Sequence, residues 1–517
     1  MRAEWWELFR GPLAYARGSD RSRDRQGAVL VLLAGLTLAA AAYGAAIGPA
    51  DAAQNQDRET LQALVRQHAN LDATQADGST ALQWAAHFND LESVNLLLRA
   101  GANPKLANRY GVTPLSEAAA AGNAAMIEAL LQAGADAKGL TTADGETVLM
   151  TAARSGNAQA VQILLDHGAD VNAKENYRGQ TALMWAAAER HAAVVKLLLA
   201  RGADWKARSL ARDTSMPKLS AASSVTPMAR GGLTALHFAA REGDVETGRV
   251  MLDAGVDVNL LDADGTSALV VSILNKRYSL AKFLLDRGAD PNLADTRGRA
   301  ALYAALDLRN EDYSALPSRK EDDPLPSLDL IQALLDRGAN PNAQLTKNLP
   351  GRSGMDSGDL TLDAGASPLM RAARAGDHDA IRILLQHGAD PKLTTKDGNT
   401  AFLFAAGVGY RDKNTRGSES DALEGLKMIT ALGPDLNQQN EKGETALHGA
   451  AGRGADSIAQ YLVTQGAKLD VKTKRGLTPL DYAMGKDVVT QLPVPHDSTV
   501  ALIRKLGGVE GKGGKQE

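Results

Sequence analysis

The chain contains no cysteine, which excludes disulfides, thiolate catalysis and cysteine-ligated metal. Aromatic residues make up 4% of its 517 residues, few for a protein built on one thick core. The formal charge of −4 is small for this length and points to neither a polyanionic nor a polycationic partner. No HExxH, GxSxG or GxxxxGK[ST] stretch occurs, so common signatures of zinc proteases, serine hydrolases and phosphate-binding loops are missing. No catalytic residue, metal ligand or cofactor is assigned. The carboxylates mostly come one per connection, as Asp136, Asp170 and Asp290 do, which suits turn and cap hydrogen bonding.

What the chain has instead is a recurring unit, clearest from Gly168 to Gly202. Thr181 is placed to cap a helix, and Leu183, Ala186 and Ala187 follow at helical spacing. Arg190-His191 marks a turn. A second helix over Ala193–Ala200 carries Val194, Val195, Leu197, Leu198 and Leu199, and Gly202 ends it. Two short helices cannot bury that much apolar surface alone, so neighbouring copies must cover it. Full copies start near Thr80, Thr113, Thr147, Thr181, Thr234, Ser267, Ala300, Ser367, Thr400, Thr445 and Thr478, eleven in all. Residues 57–68 read as a lone second helix, an N-terminal half-repeat acting as a cap. Five long interruptions, Ala207–Gly231, Asn310–Ser327, Leu345–Ala364, Tyr410–Ser420 and Gly485–Asp497, read as loops.

The unit resembles the ankyrin repeat. Thr234-Ala235-Leu236-His237 and Thr445-Ala446-Leu447-His448 match one signature of that family, and Gly168-Ala169-Asp170 and Gly288-Ala289-Asp290 match another. The resemblance implies an all-α ankyrin-repeat solenoid of about eleven helix-turn-helix repeats plus the half-repeat. It also implies that His237 and His448 bond nearby backbone. Met150, Met184 and Met370 fill the same slot as core residues, and Trp84, Trp185, Phe238 and Phe404 occupy the next one as packing.

The amino terminus is organised differently. Arg17, Arg21, Arg23 and Arg25 precede an uncharged run from Gly27 to Ala50, and Ala50-Asp51-Ala52 is a small-x-small site. Residues 1–52 therefore read as a signal peptide or signal anchor, with a mature chain from Ala53. The solenoid is expected over 53–507 and a flexible tail over 508–517. With the leader, the chain resembles exported bacterial ankyrin-repeat proteins, so a periplasmic or extracellular location is expected, or an inner-membrane one if the run is retained.

For function, the family resemblance implies non-catalytic protein–protein recognition on a concave face made by the inter-repeat fingers and the first helices, by a monomer. Carried over residue by residue, it marks Asp77, Arg109, Tyr110, Tyr177, Arg178 and Arg297 at finger tips. It also marks Phe88, Arg154, Glu189, Arg241, Glu242 and Arg374 just past the paired alanines. Two alternatives stay open: an enzyme or small-molecule receptor with its site under the repeat-four/five and repeat-seven insertions, and a membrane-tethered scaffold. Nucleic acid is disfavoured, because Arg109, Arg178 and Arg297 alternate with Asp77, Asp144 and Asp264 and form no continuous basic stripe.

Overall fold

The computed structural model describes residues 47–142, 144–213, 229–310, 323–349, 362, 364–410, 418–487 and 495–511. Most of the five expected loops, and the leader through residue 46, lie outside them. The chain divides after Leu210 into two compact units.

Among the described residues, the first unit holds five helix pairs: α1 Pro49–Gln54 and α2 Arg58–Arg66, α3 Ala81–His87 and α4 Leu91–Arg99, α5 Pro114–Ala121 and α6 Ala124–Gln132, α7 Val148–Ser155 and α8 Ala158–Asp166, α9 Ala182–Ala188 and α10 Ala192–Ala200. Threonine starts the first helices for the expected reason. The Thr80 and Thr147 hydroxyls accept from the N–H groups of Gln83 and Met150, and the Gln83 side chain reaches back to the Thr80 N–H at 2.7 Å. Each first helix packs on the next first helix, and each second helix on the next second helix. The paired alanines Ala85-Ala86, Ala118-Ala119, Ala152-Ala153 and Ala186-Ala187 are at most 3% exposed, and their small side chains permit that approach. Leu97, Leu130, Leu164 and Leu198 of the second helices are fully buried, each contributing about 1.5–3 kcal/mol of transfer free energy. Gly156 ends α7 with φ +84°, and a Cβ there would sit 2.5 Å from the His191 ring of the next helix pair.

Successive copies are also tied through backbone. In the fingers, the N–H groups of Arg109, Asn176 and Leu210 donate to the carbonyls of Asp77, Asp144 and Arg178. At the other connection Asn172 clamps its neighbour: its Oδ1 accepts from Asp204 N at 2.7 Å and its Nδ2 donates to Gly202 O. Asn259, Asn292 and Asn342 repeat that clamp in the second unit.

The amino-terminal half-repeat is corrected by α1. The second helix expected near residues 57–68 has a first-helix partner, short and poor in large side chains. Pro49, Ala50, Ala52 and Ala53 are buried in it, and α1 lies against α2 and α3. The expected cleavage site Ala50-Asp51-Ala52 is therefore part of the packed array.

Among the described residues, the second unit holds seven pairs: α11 Ala235–Glu242 and α12 Val245–Asp253, α13 Ala268–Leu274 and α14 Tyr278–Asp286, α15 Ala301–Arg309 and α16 Ser327–Asp336, α17 Pro368–Ala375 and α18 His378–Gln386, α19 Ala401–Ala406 and α20 Glu419–Thr430, α21 Ala446–Arg453 and α22 Asp456–Thr464, α23 Pro479–Ala483 and α24 Asp497–Lys505. The Asn310–Ser327 and Tyr410–Ser420 interruptions fall between the helices of a pair, so the helix pairing survives them. A two-residue antiparallel ladder, β1 Arg212–Asp213 with β2 Ala229–Arg230, is the only sheet among the described residues.

The tail expected after Gly507 is held as far as Gly511. The Thr478 hydroxyl donates to Val509 O at 2.8 Å, Gly511 N donates to the buried Asp481 carboxylate at 2.7 Å, and Lys486 bridges Asp481 and Glu510. Elsewhere a side chain in the Asp481 slot donates to the following repeat, as His237 does to Thr266 O and His448 to Leu477 O. Asp481 accepts instead, and the carboxyl-terminal segment supplies the donor. Among the described residues no helix is long and apolar enough to cross a membrane.

Candidate partner-binding face

The first helices of the first unit end in a cluster on one face. Trp84 stacks on Phe88 at 5.9 Å between ring centroids and meets His87 edge-on at 5.6 Å, because i, i+3 and i+4 share a helix face. His87 Nδ1 lies 3.2 Å from the Glu117 carboxylate of the next repeat. The Trp84 indole N–H donates to Gln75 Oε1 at 2.7 Å, and Gln75 Nε2 donates to Asp51 Oδ1 at 2.7 Å. A polar relay thus runs from the aromatic cluster to α1. Two repeats on, the Arg154 guanidinium lies 4.9 Å over the Trp185 ring and 3.6 Å from the buried Glu146 carboxylate. Glu189, at the end of α9, is exposed.

The fingers add a second row. Tyr110 is 73% exposed and Tyr177 48%, and the Arg178 guanidinium lies 5.4 Å over the Tyr177 ring. The buried Glu175 carboxylate accepts from the N–H groups of Tyr177, Arg178 and Gln180, fixing that finger tip from inside. Arg109 is exposed beside Tyr110. Asp77 is occupied within its own turn. Its carboxylate accepts from Ser79 N and Oγ, and those bonds hold its pKa below the usual carboxylate value.

In the second unit the expected residues divide. Arg241 lies 5.1 Å over the Phe238 ring and pairs with Glu242 at 2.8 Å, both half-buried. Arg297 and Arg374 are corrected as contact residues, being 4% and 5% exposed. Arg297 is covered by the next finger: its Nη1 donates to Asn348 O, and its own carbonyl accepts from Thr346 N. Arg374 belongs to α17, all eight of whose residues are buried. Neighbouring cations there are fixed by carboxylates, Arg371 by Asp307 at 2.9 Å and Arg309 by Asp377 at 2.7 Å.

Four residues of the face were not among the expected contacts. Trp84 and Trp185 were read as packing, yet both are only half-buried. Leu140 and Leu210, in the fingers, are 53% and 51% exposed. A large apolar residue in a polar connection was the signal available for the leucines. His237 and His448 do what their slot implied. Each ring Nδ1 meets the capping threonine, Thr234 or Thr445, and each Nε2 meets a backbone carbonyl of the next repeat.

Comparison with known proteins gives two family profiles. "Ankyrin repeats (3 copies)" matches residues 50–140, 127–209, 219–295 and 325–413, and "Ankyrin repeats (many copies)" matches residues 429–483. Among curated proteins, mouse "Ankyrin repeat and SOCS box protein 16" is 34% identical over 122 residues, which is 24% of this chain and 26% of that protein. Mouse "B-cell lymphoma 3 protein homolog" is 28% identical over 138 residues, 26% of this chain and 28% of that protein. Human "2-5A-dependent ribonuclease" is 37% identical over 82 residues, 16% of this chain and 9% of that enzyme. The chain thus spans less than a third of the length of each of these relatives, and what is shared is the repeat.

Proposed function

The chain belongs to the ankyrin-repeat family, and on that premise we propose that it is a non-catalytic scaffold holding a protein partner on the finger-and-first-helix face of residues 47–210. Ankyrin repeats are generally protein–protein interaction modules, and this fold is usually non-enzymatic. The observation that carries the choice of face is the position of the exposed large apolar side chains. Between residues 48 and 210, Phe88, Tyr110, Leu140, Tyr177 and Leu210 all stand on fingers or at a first-helix end, and none stands on a second helix. Tyr110 and Tyr177 offer wide rings at low entropic cost, and Arg109 and Arg178 beside them offer directional donors. Trp84, Trp185 and Arg154 extend the same face, with Glu189 at its far end. Arg241 and Glu242 are the equivalent pair of the second unit. The location proposed is outside the cytoplasm, on the strength of the basic leader and the uncharged run Gly27–Ala50.

The test starts from a partner captured by the intact chain, followed by calorimetry. Tyr110→Ala with Tyr177→Ala is expected to weaken binding by about 2 kcal/mol or more, with helix content unchanged. Gln159→Ala with Lys196→Ala, two exposed second-helix positions, is expected to leave affinity unaltered. Equal affinities for the two double variants would remove this face.

A further inference from the structure

We propose that the leader is removed by hydrolysis of the Ala46–Ile47 bond, six residues before the site the sequence favours, so that the mature chain begins at Ile47. This rests on the export reading above. The reason lies in α1. A cut after Ala52 would leave only Ala53 and Gln54 of that helix. Its buried residues Pro49, Ala50 and Ala52 would be lost, with exposures of at most 4% for the two alanines. It would also remove Gly48, whose N–H bonds the Asp51 carboxylate at 3.2 Å and whose carbonyl accepts the first helical N–H, from Ala52. The Ala52 carbonyl, which accepts from Asp57 N at 2.9 Å and so joins α1 to α2, would go too. So would Asp51, the end of the relay through Gln75 to the Trp84 indole.

The buried flank of α3, with Leu82, Ala85 and Ala86 at 3% exposure or less, would then lose the helix packed against it. An array of this kind needs a covered end. Ile47, by contrast, is 56% exposed and precedes the cap. The sequence before it, Gly44-Ala45-Ala46, supplies small residues at the positions one and three before the bond, within the uncharged run Gly27–Ala50 and after its leucine-rich part. Cutting one bond further on than Ile47–Gly48 would place the scissile bond at Gly48–Pro49, strip the helix cap and require a proline as the new terminus. In the step proposed, a leader peptidase adds water across the Ala46–Ile47 amide. The Ala46 carbonyl takes the hydroxyl and becomes a carboxylate, and the Ile47 nitrogen takes the proton and leaves as the new α-amine.

The test is amino-terminal sequencing of the full chain after expression in an exporting bacterium, on separated exported, membrane and cytoplasmic fractions. An exported chain beginning at Ile47 is the expected result. An exported chain beginning at Ala53, or at any other residue, overturns the assigned bond and leaves the export reading standing. A chain that keeps residues 1–46 in every fraction overturns both. A second measurement addresses the reason directly: chains produced to begin at Ile47 and at Ala53 are compared by hydrogen exchange. Amides of α3 should exchange at least tenfold faster in the shorter chain, and equal rates would overturn the argument from α1.

Discussion

His448 shows what one residue does for the stack and what it costs. Its Nδ1 accepts from the Thr445 N–H at 3.1 Å, and its Nε2 lies 3.2 Å from Leu477 O, an arrangement that suits the neutral ring with its proton on Nε2. Burial pushes its pKa down from 6.5 to about 4, against the opposing pull of the Leu477 carbonyl and of Glu444 and Asp481. Between those two values the unfolded chain binds a proton that the folded chain refuses. Stability from this group is therefore complete above about pH 6.5 and falls as the pH drops toward about 4. The loss is expected to be on the order of 3 kcal/mol for the last repeats. Thermal unfolding of the wild type and of His448→Gln, followed from pH 7 to pH 4.5, checks this. Glutamine holds the same slot at Gln83, where its Nε2 donates to Val112 O. The variant should lose the fall in this window, and an equally steep fall would mean that other groups set it.

At the scale of the element, stability turns on nearest-neighbour packing. Leu198 of α10 is fully buried, and α10 packs on α9 and α8. Leu198→Ala is expected to cost about 2–5 kcal/mol through lost transfer free energy and the cavity left behind. Hydrogen exchange should place the loosening in α8 to α10 while α3 and α4 stay protected. Uniform loosening of α1 to α10 would contradict nearest-neighbour coupling.

The elements themselves were largely legible. The capping threonines, the paired alanines and the leucine-rich second helices announce their roles locally, because caps and periodic faces act within one turn or two. Less was legible where the determinant is another segment. α1 was hidden because Pro49, Ala50, Ala52 and Ala53 continue the composition of the uncharged run before them. The asparagine clamps were missed because their partners, such as Gly202 and Asp204 for Asn172, lie a full repeat away. Arg297 and Arg374 read as exposed because what covers them is contributed by other segments. The finger carrying Asn348 covers Arg297, and α17 is buried on every side. Tyr110 and Tyr177 stand where the repeat register put them, since no insertion intervenes between Thr80 and Thr181.

At the scale of the molecule, the helix pairs of residues 47–210 are the support, and the recognition proposed above falls to their fingers and first-helix ends. The support is built from short-range terms repeated many times: a threonine cap, two alanines, a buried leucine, a backbone bond between fingers and an asparagine clamp. None of these uses the side chains of Tyr110, Tyr177, Arg109 or Phe88, which are all exposed. The most direct measurement is hydrogen exchange of the intact chain with and without its captured partner, read peptide by peptide. Slowed exchange is expected over residues 108–112 and 175–180 and at the ends of α3 and α9, with second helices α4, α6, α8 and α10 unchanged. Slowed exchange confined to those second helices, with the fingers unaffected, would contradict the proposed face.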